Sequence, residues 1–142
     1  MAVALAEARA AGARGEVPVG AVVLGPDGAV LARAGNRTEE LRDAAAHAEL
    51  LALREAARNR GPRLADCTLV VTLEPCAMCA AAAGLFRIRK IIFGAYDPKG
   101  GGIEHGARVF AAAGALHLPE VIGGVRERDA ADLLRIFFRA RR

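Results

Sequence analysis

The sequence predicts an α/β chain: a mixed sheet with helices on both faces, an α/β/α sandwich. Three observations carry that prediction. Runs rich in β-branched residues alternate with segments of helical periodicity. The first two runs are joined by Gly25-Pro26-Asp27-Gly28, a tight-turn signal, and so form a hairpin. The later runs are separated by helical stretches, so they join the sheet by crossovers.

Residues 1–14 read as an Ala-rich helix with Val3 and Leu5 as its main apolar groups, ended by Gly15. Val17–Leu24 is an apolar strand and Ala29–Ala34 its hairpin partner. Pro26 presets φ in the turn between them and Gly28 accepts a positive φ. Residues 35–44 read as a polar loop. Ala46–Arg60 is a helix with Leu50, Leu53 and Ala57 on one face and Arg54, Glu55 and Arg58 at polar positions, stopped by Gly61-Pro62. Cys67–Leu73 is a buried type of strand. A helix over Cys76–Phe86 follows, with Pro75 in its first turn, where the missing N–H costs nothing. Ile91–Phe93 is the next strand and residues 96–106 form a Gly-rich loop. Ala107–Ala113 reads as a short helix, Val121–Ile122 as the last strand, and Arg126–Arg142 as a final amphipathic helix.

A length of 142 residues predicts one domain, 1–142. Folding such a chain buries about two-thirds of its exposed surface, enough for a real core. The composition, 54% hydrophobic and 25% charged, is that of a soluble globular protein. No apolar run approaches the ~20 residues of a membrane span. Glu7, Arg9 and Arg14 interrupt the Ala-rich start, which argues against a signal peptide. Three cysteines are too few for a disulfide scaffold, so a reducing, cytoplasmic compartment is expected. The net charge is +4, and Lys90 and Lys99 are the only lysines among twenty basic residues. The excess reads either as a solvated surface in an Arg-biased chain or as a fit to an anionic partner such as RNA, which Arg forks favour.

The residues that carry chemistry are His47-Ala48-Glu49 and Pro75-Cys76-Ala77-Met78-Cys79. Thiols at i and i+3 of a helix start are adjacent and feel the positive end of the helix dipole, which favours thiolate. A redox pair, a structural zinc site and a catalytic zinc site all use such a pair. A structural site needs four protein ligands, whereas a catalytic site needs three and leaves one position open. Cys67 reads as a small buried hydrophobe, and His105 and His117 lack a neighbouring motif, His105 being plain loop. That leaves His47, Cys76 and Cys79. Two residues along a helix turn about 200°, so His47 and Glu49 address one site only if their helix points its N-terminal end at it. Glu49, beside a metal-activated water, can take its proton and deliver it to a leaving group.

This His-x-Glu and Pro-Cys-x-x-Cys arrangement is the signature of zinc nucleobase deaminases, within the cytidine/deoxycytidylate deaminase superfamily. Further stretches resemble its bacterial tRNA-specific adenosine deaminase family. They are Glu16–Val22, Gly35-Asn36-Arg37, Thr72–Cys79, Arg87-Ile88, Phe93-Gly94-Ala95, Asp97-x-Lys99-x-Gly101 and the tail Phe137–Arg142. The resemblance implies the cytidine-deaminase-like fold with a five-stranded sheet, a homodimer, and one Zn²⁺ per subunit. It also implies conversion of adenosine to inosine at the wobble position of a tRNA anticodon, most typically an arginine tRNA. By analogy, Asn36 contacts the flipped nucleotide and the Ala48 backbone fixes its exocyclic end. Asp97 and Lys99 lie near the anticodon backbone, and Arg135, Arg139, Arg141 and Arg142 touch the tRNA. The chain departs from the family pattern at Asp43-Ala44-Ala45, across Ala80–Phe86, and at Gly101–His105, where the usual Gly-Ser is missing.

Two other readings compete: a deaminase of a free base or nucleoside such as guanine or cytosine, and a non-catalytic zinc-stabilised RNA-binding module. Arg128, Arg135, Arg139 and Arg142 recur on one helical face, with Asp132 among them, either as a salt-bridged surface or as a phosphate stripe. Phe137 and Phe138 read as core or interface residues. Gly100-Gly101-Gly102 lacks the Gly-Lys-Ser/Thr of a phosphate loop, so no nucleotide cofactor is expected.

Overall fold

The structure, a computed structural model, describes residues 1–142. Five strands form one mixed sheet: β1 (Gly20–Leu24), β2 (Val30–Gly35), β3 (Thr68–Leu73), β4 (Lys90–Ala95) and β5 (Glu120–Ile122), in the order β2-β1-β3-β4-β5. β1 runs antiparallel to both β2 and β3, while β3, β4 and β5 are mutually parallel neighbours. Helices α1 (Ala2–Ala13) and α5 (Glu127–Arg139) cover one face, and α3 (Ala48–Arg60) and α4 (Ala77–Leu85) the other. The expected three-layer α/β/α sandwich is therefore the observed one. No helix is long and apolar enough to cross a membrane.

Strand alternation sorts the core. Ala21, Val23, Leu69, Val71, Ile91 and Phe93 face α3 and α4 in the main core, while Val22 and Val70 face Ala4 of α1. The helices meet the sheet with small residues: Ala4, Ala8 and Ala11 of α1, Ala48, Ala52 and Ala56 of α3, Ala80 and Ala83 of α4, all buried. On the α1 side the sheet answers with the paired glycines Gly20 and Gly35. A Cβ at Gly20 would stand 2.0 Å from the Ala4 carbonyl oxygen, and one at Gly35 2.8 Å from that of Glu7. The helix thus lies almost on the backbone of the sheet.

Several boundaries differ from the sequence reading, each for a physical reason. β1 begins at Gly20 rather than Val17, because Pro18 has no N–H for a ladder and Val19 turns back to donate to the Val17 carbonyl (2.8 Å). The segment 35–44 is not all loop: it contains the short helix α2 (Thr38–Leu41). The stretch 107–113 shrinks to a 3-10 turn at Val109–Ala111. α4 starts at Ala77 with Cys76 as its N-cap, so Pro75 lies outside the helix. The buried stripe of α3 is Ala48, Glu49, Ala52, Leu53 and Ala56, so of the three residues expected on that face only Leu53 is fully buried.

The Gly20 contact gives a direct prediction. Gly20→Ala should destabilise the zinc-loaded protein by about 1–3 kcal/mol in equilibrium urea unfolding, the usual cost of overpacking. An unchanged midpoint would show that α1 can lift off the sheet freely.

Candidate metal centre and active site

α3 and α4 both begin at the same point. His47 is the N-cap of α3 (φ −73°, ψ 148°) and Cys76 the N-cap of α4 (φ −66°, ψ 171°), each still extended as the helix begins. Two hydrogen bonds bracket His47: the Arg37 N–H donates to the Ala46 carbonyl (3.0 Å) and the Ala48 N–H to Asn36 Oδ1 (2.8 Å). The end of β2 thus fixes the start of α3. This is the end-on arrangement that the His-x-Glu spacing requires.

His47 Nδ1 lies 3.6 Å from the sulfurs of both Cys76 and Cys79, and the three ligand atoms fall within 4.8 Å of one another. A tetrahedral zinc, with Zn–S about 2.3 Å and Zn–N about 2.0–2.1 Å, sets N and S about 3.6 Å apart. The observed spacing is therefore that of a zinc site.

The charges fit the same purpose. The hydrogen bond from Cys79, then that of the His47 ring, pulls the Cys76 thiol down to about 4 against the effect of burial. Cys79, the other partner of that shared proton, is pushed up. His47 is raised, first by its contact with Cys76. Glu49 is buried, and burial pushes its carboxyl up to about 7. Cys67 is buried away from this centre, where desolvation and its hydrogen bond to Asp66 (3.2 Å) push it up to about 11. It is the inert spare thiol that the sequence predicts.

A cavity of about 310 Å³ opens over the centre. His47, Cys76 and Glu49 form its floor with Asn36, and Val17, Val19, Thr38, Leu73, Glu74, Asp97 and Gly100 complete the lining. Its size is at the small end for ligand pockets, about 300–1,000 Å³, which suits one base-sized group. Ala48 sits behind this wall, fully buried, with its N–H already taken by Asn36. Asp97 borders the cavity, but its Oδ1 accepts the N–H groups of Lys99 (3.1 Å) and Gly100 (2.9 Å) and so shapes its own loop.

Lys99 faces elsewhere. With Arg135, Arg139, Arg141 and Arg142 it lines a separate groove of about 970 Å³ that also exposes Tyr96 and Phe138. Arg135 pairs with Asp132, and Arg141 lies 3.5 Å over the Phe137 ring. Phe137 is buried, as expected, whereas Phe138 is half exposed. Arg128, expected on the same stripe, is not part of the groove.

Two buried carboxylates escaped the sequence reading. Glu16 accepts the N–H groups of Glu39 (3.2 Å) and Glu40 (2.8 Å) and the Thr38 hydroxyl (3.2 Å), and so holds α2 beside Asn36. Glu74 accepts N–H groups from the loop after β4. His105, read as plain loop, puts Nδ1 2.8 Å from Glu74 Oε2. His117 donates from Nε2 to the Ile88 carbonyl (2.7 Å) and takes no part in the centre.

One imidazole and two thiolates at paired helix starts, with a buried carboxylate alongside, define the class of zinc-dependent deaminases. The family model of the cytidine and deoxycytidylate deaminase zinc-binding region matches residues 1–95. A tRNA-specific adenosine deaminase of Agrobacterium fabrum is 52% identical over the whole of this chain and 93% of its own length. A tRNA(Ile)-lysidine synthase of Deinococcus radiodurans is also 52% identical, but the match covers 95% of this chain and only 23% of that protein. A solved structure from work on A-to-I editing by tRNA:A34 deaminases at the wobble position superposes with a TM-score of 0.92 at 51% identity, covering 94% of this chain and 97% of that one. A guanine deaminase from Nitrosomonas europaea gives 0.80 at 26% identity, over 94% of this chain and 80% of that one. The chain belongs to the tRNA-specific adenosine deaminase family.

Glu16 supplies a pH test of this scaffold. Burial works to raise its carboxyl, but the N–H groups of Glu40 and Glu39, the Thr38 hydroxyl and Arg14 outweigh it, so it is held below the usual range. A depressed carboxyl contributes stability that is fully present above the unfolded value of about 4.3 and is lost as pH falls through the folded value. Wild-type protein should exceed Glu16→Gln by about 1–3 kcal/mol at neutral pH, and the gap between the two urea curves should narrow as pH falls below the unfolded value. A gap that persists in acid would assign the difference to packing instead.

Proposed function

We propose that this chain is a single zinc-dependent deaminase domain, 1–142, that hydrolyses adenosine to inosine at the wobble position of a tRNA anticodon, of the arginine-tRNA type, and releases ammonia. One observation carries the reading: the buried Glu49 lines the same small cavity as His47 and Cys76, two corners of the His47–Cys76–Cys79 triangle. His47, Cys76 and Cys79 hold one zinc. Bound zinc supplies Lewis acidity, lowering the pKa of a coordinated water toward ~7.

The chain's own residues do the rest. Glu49 accepts a proton from the attacking water and passes it to the ring nitrogen beside C6 of adenine. As the water oxygen bonds to C6, Glu49 is left a carboxylate; it then takes that oxygen's remaining proton and gives it to the amino group, which leaves as ammonia while the C6–N bond breaks and the C6 carbonyl forms. Its burial suits both roles, because a carboxyl raised to about 7 can both take up and release a proton near neutral pH. Asn36, whose Oδ1 accepts the Ala48 N–H, lines the cavity and keeps its amide group as the donor for the base, with the Ala48 backbone behind it. Val17, Val19 and Leu73 give the base an apolar slot. An anticodon loop suits so small a cavity because its bases can be splayed out at low cost.

The basic groove is the RNA-contacting surface in this reading. Lys99, Arg135, Arg139, Arg141 and Arg142 converge there beyond the Asp97 loop, which borders the cavity. A homodimer is expected through the outer face of α4 and the segment before β5, where Leu85 and Leu116, 78% and 89% exposed, line an apolar recess with Phe110. Sedimentation should give twice the chain mass. The protein acts in the cytoplasm, where its RNA is found.

The decisive experiment offers anticodon stem-loops, free adenosine, guanine and cytosine side by side. Inosine is expected in the stem-loop, and turnover of a free base with none of any stem-loop would overturn the RNA reading. Glu49→Gln should keep one zinc per chain and lose about 10²- to 10⁴-fold in turnover. A variant that still deaminates at the wild-type rate would remove Glu49 from its role.

A further inference from the structure

Glu74 and His105 lie outside the metal set and the proton path. Glu74 directly precedes Pro75 and Cys76, and its side chain is wholly buried. Oε1 accepts the N–H groups of Ile103 (3.3 Å), Glu104 (2.8 Å) and His105 (3.0 Å), and Oε2 that of Asp97 (3.0 Å). Oε2 also accepts from His105 Nδ1 at 2.8 Å, so that nitrogen carries the proton. Four backbone donors and an imidazole occupy this carboxylate, which leaves it no part in proton transfer.

The loop is pressed onto the start of α4 as well. The Gly102 N–H donates to the Pro75 carbonyl (2.8 Å). A Cβ at Gly101 would lie 2.5 Å from the Glu74 carboxyl carbon, and one at Gly102 2.4 Å from the Ala77 nitrogen. The His105 ring meets Tyr96 edge-on (6.1 Å), and Tyr96 meets Phe93 of β4 in the same way (5.1 Å). The loop so held has two sides. Asp97 and Gly100 border the base-sized cavity, while Tyr96 and Lys99 border the basic groove.

We propose that Glu74 and His105 are positioning residues that lock the 97–105 loop between the cavity and the groove, so that a bound RNA strand meets both at one fixed spacing. This rests on the RNA reading above. His105 supplies the imidazole of the lock. It is also the one side-chain donor on Glu74, and can be changed without disturbing a backbone bond.

The test compares wild-type, His105→Ala and His105→Asn proteins, all zinc-loaded. The Asn amide nitrogen can take the place of Nδ1. Amide exchange over residues 97–105 is measured without RNA, and KM and kcat are measured on an anticodon stem-loop. Loss of one charge-assisted bond should speed loop exchange and raise KM, each about tenfold. The kcat should stay within about twofold and zinc at one per chain, and Asn should restore exchange and KM. Unchanged exchange and KM in His105→Ala, equal damage from Asn and Ala, or a fall in kcat and zinc at constant KM would each overturn the proposal. Wild-type protein that makes no inosine in the stem-loop overturns the substrate reading, whereas the exchange comparison, run without RNA, overturns the lock alone.

Discussion

The structure depends on two helices starting at the same point. His47 and Cys76 are both N-caps, and Nδ1 stands 3.6 Å from both sulfurs. Neither helix could bring this about alone. Mid-helix, His47 and Glu49 would diverge by about 200°; at the first turn, the open end of the helix lets both address the space in front of it. The positive ends of two helix dipoles favour the thiolates there. They also concentrate negative charge that only a cation can balance well, which ties the fold of this region to its metal.

Small residues make that meeting geometrically feasible. α3 shows the sheet Ala48, Ala52 and Ala56, and α4 shows Ala80 and Ala83. Helices that bury alanine lie close to the sheet and close to each other, so their starts are separated by little more than the width of a ligand set. Bulkier residues would lift the helices and spread the three ligand atoms. The same economy appears on the far face, where α1 rests on Gly20 and Gly35. An alanine-rich composition, bland as a sequence statistic, thus does structural work at each layer.

The metal ligands were legible in the sequence because their chemistry is local: a Cys pair three apart and a His-Glu pair two apart are each set by a single helix turn. The sheet was legible through its β-branched runs and one turn signal. What stayed hidden was held by long-range bonds from carboxylates to backbone. Nothing near Thr38 announces a helix, because its donors are satisfied by Glu16, over twenty residues away. Nothing near Gly101 announces an ordered loop, because its anchor is Glu74 on another element. On α3 the buried stripe runs through Ala48, Ala52, Leu53 and Ala56, so Leu50 and Ala57, which the sequence reading puts on that face, stay only partly covered. The sequence places Pro75 in the first turn of α4, whereas its carbonyl accepts the Gly102 N–H of the loop and it stays outside the helix.

The charge excess has a location as well as a size. Around β2, α2 and α3 several arginines are answered by acids: Arg33 by Glu7, Arg14 and Arg37 by Glu40, Arg58 by Glu55. In the groove beside α5, Lys99 and four arginines converge with Asp132 as the one paired acid, a local surplus equal to the chain's formal +4. A field of that kind attracts any phosphate backbone and distinguishes none. Selection must then come from the cavity, which is small, apolar on one wall, and shaped by Asn36 and the Asp97 loop. With few aromatic rings to stack on, the proposed function divides the two tasks: the cations would gather the strand, and a single-base slot would decide what reacts.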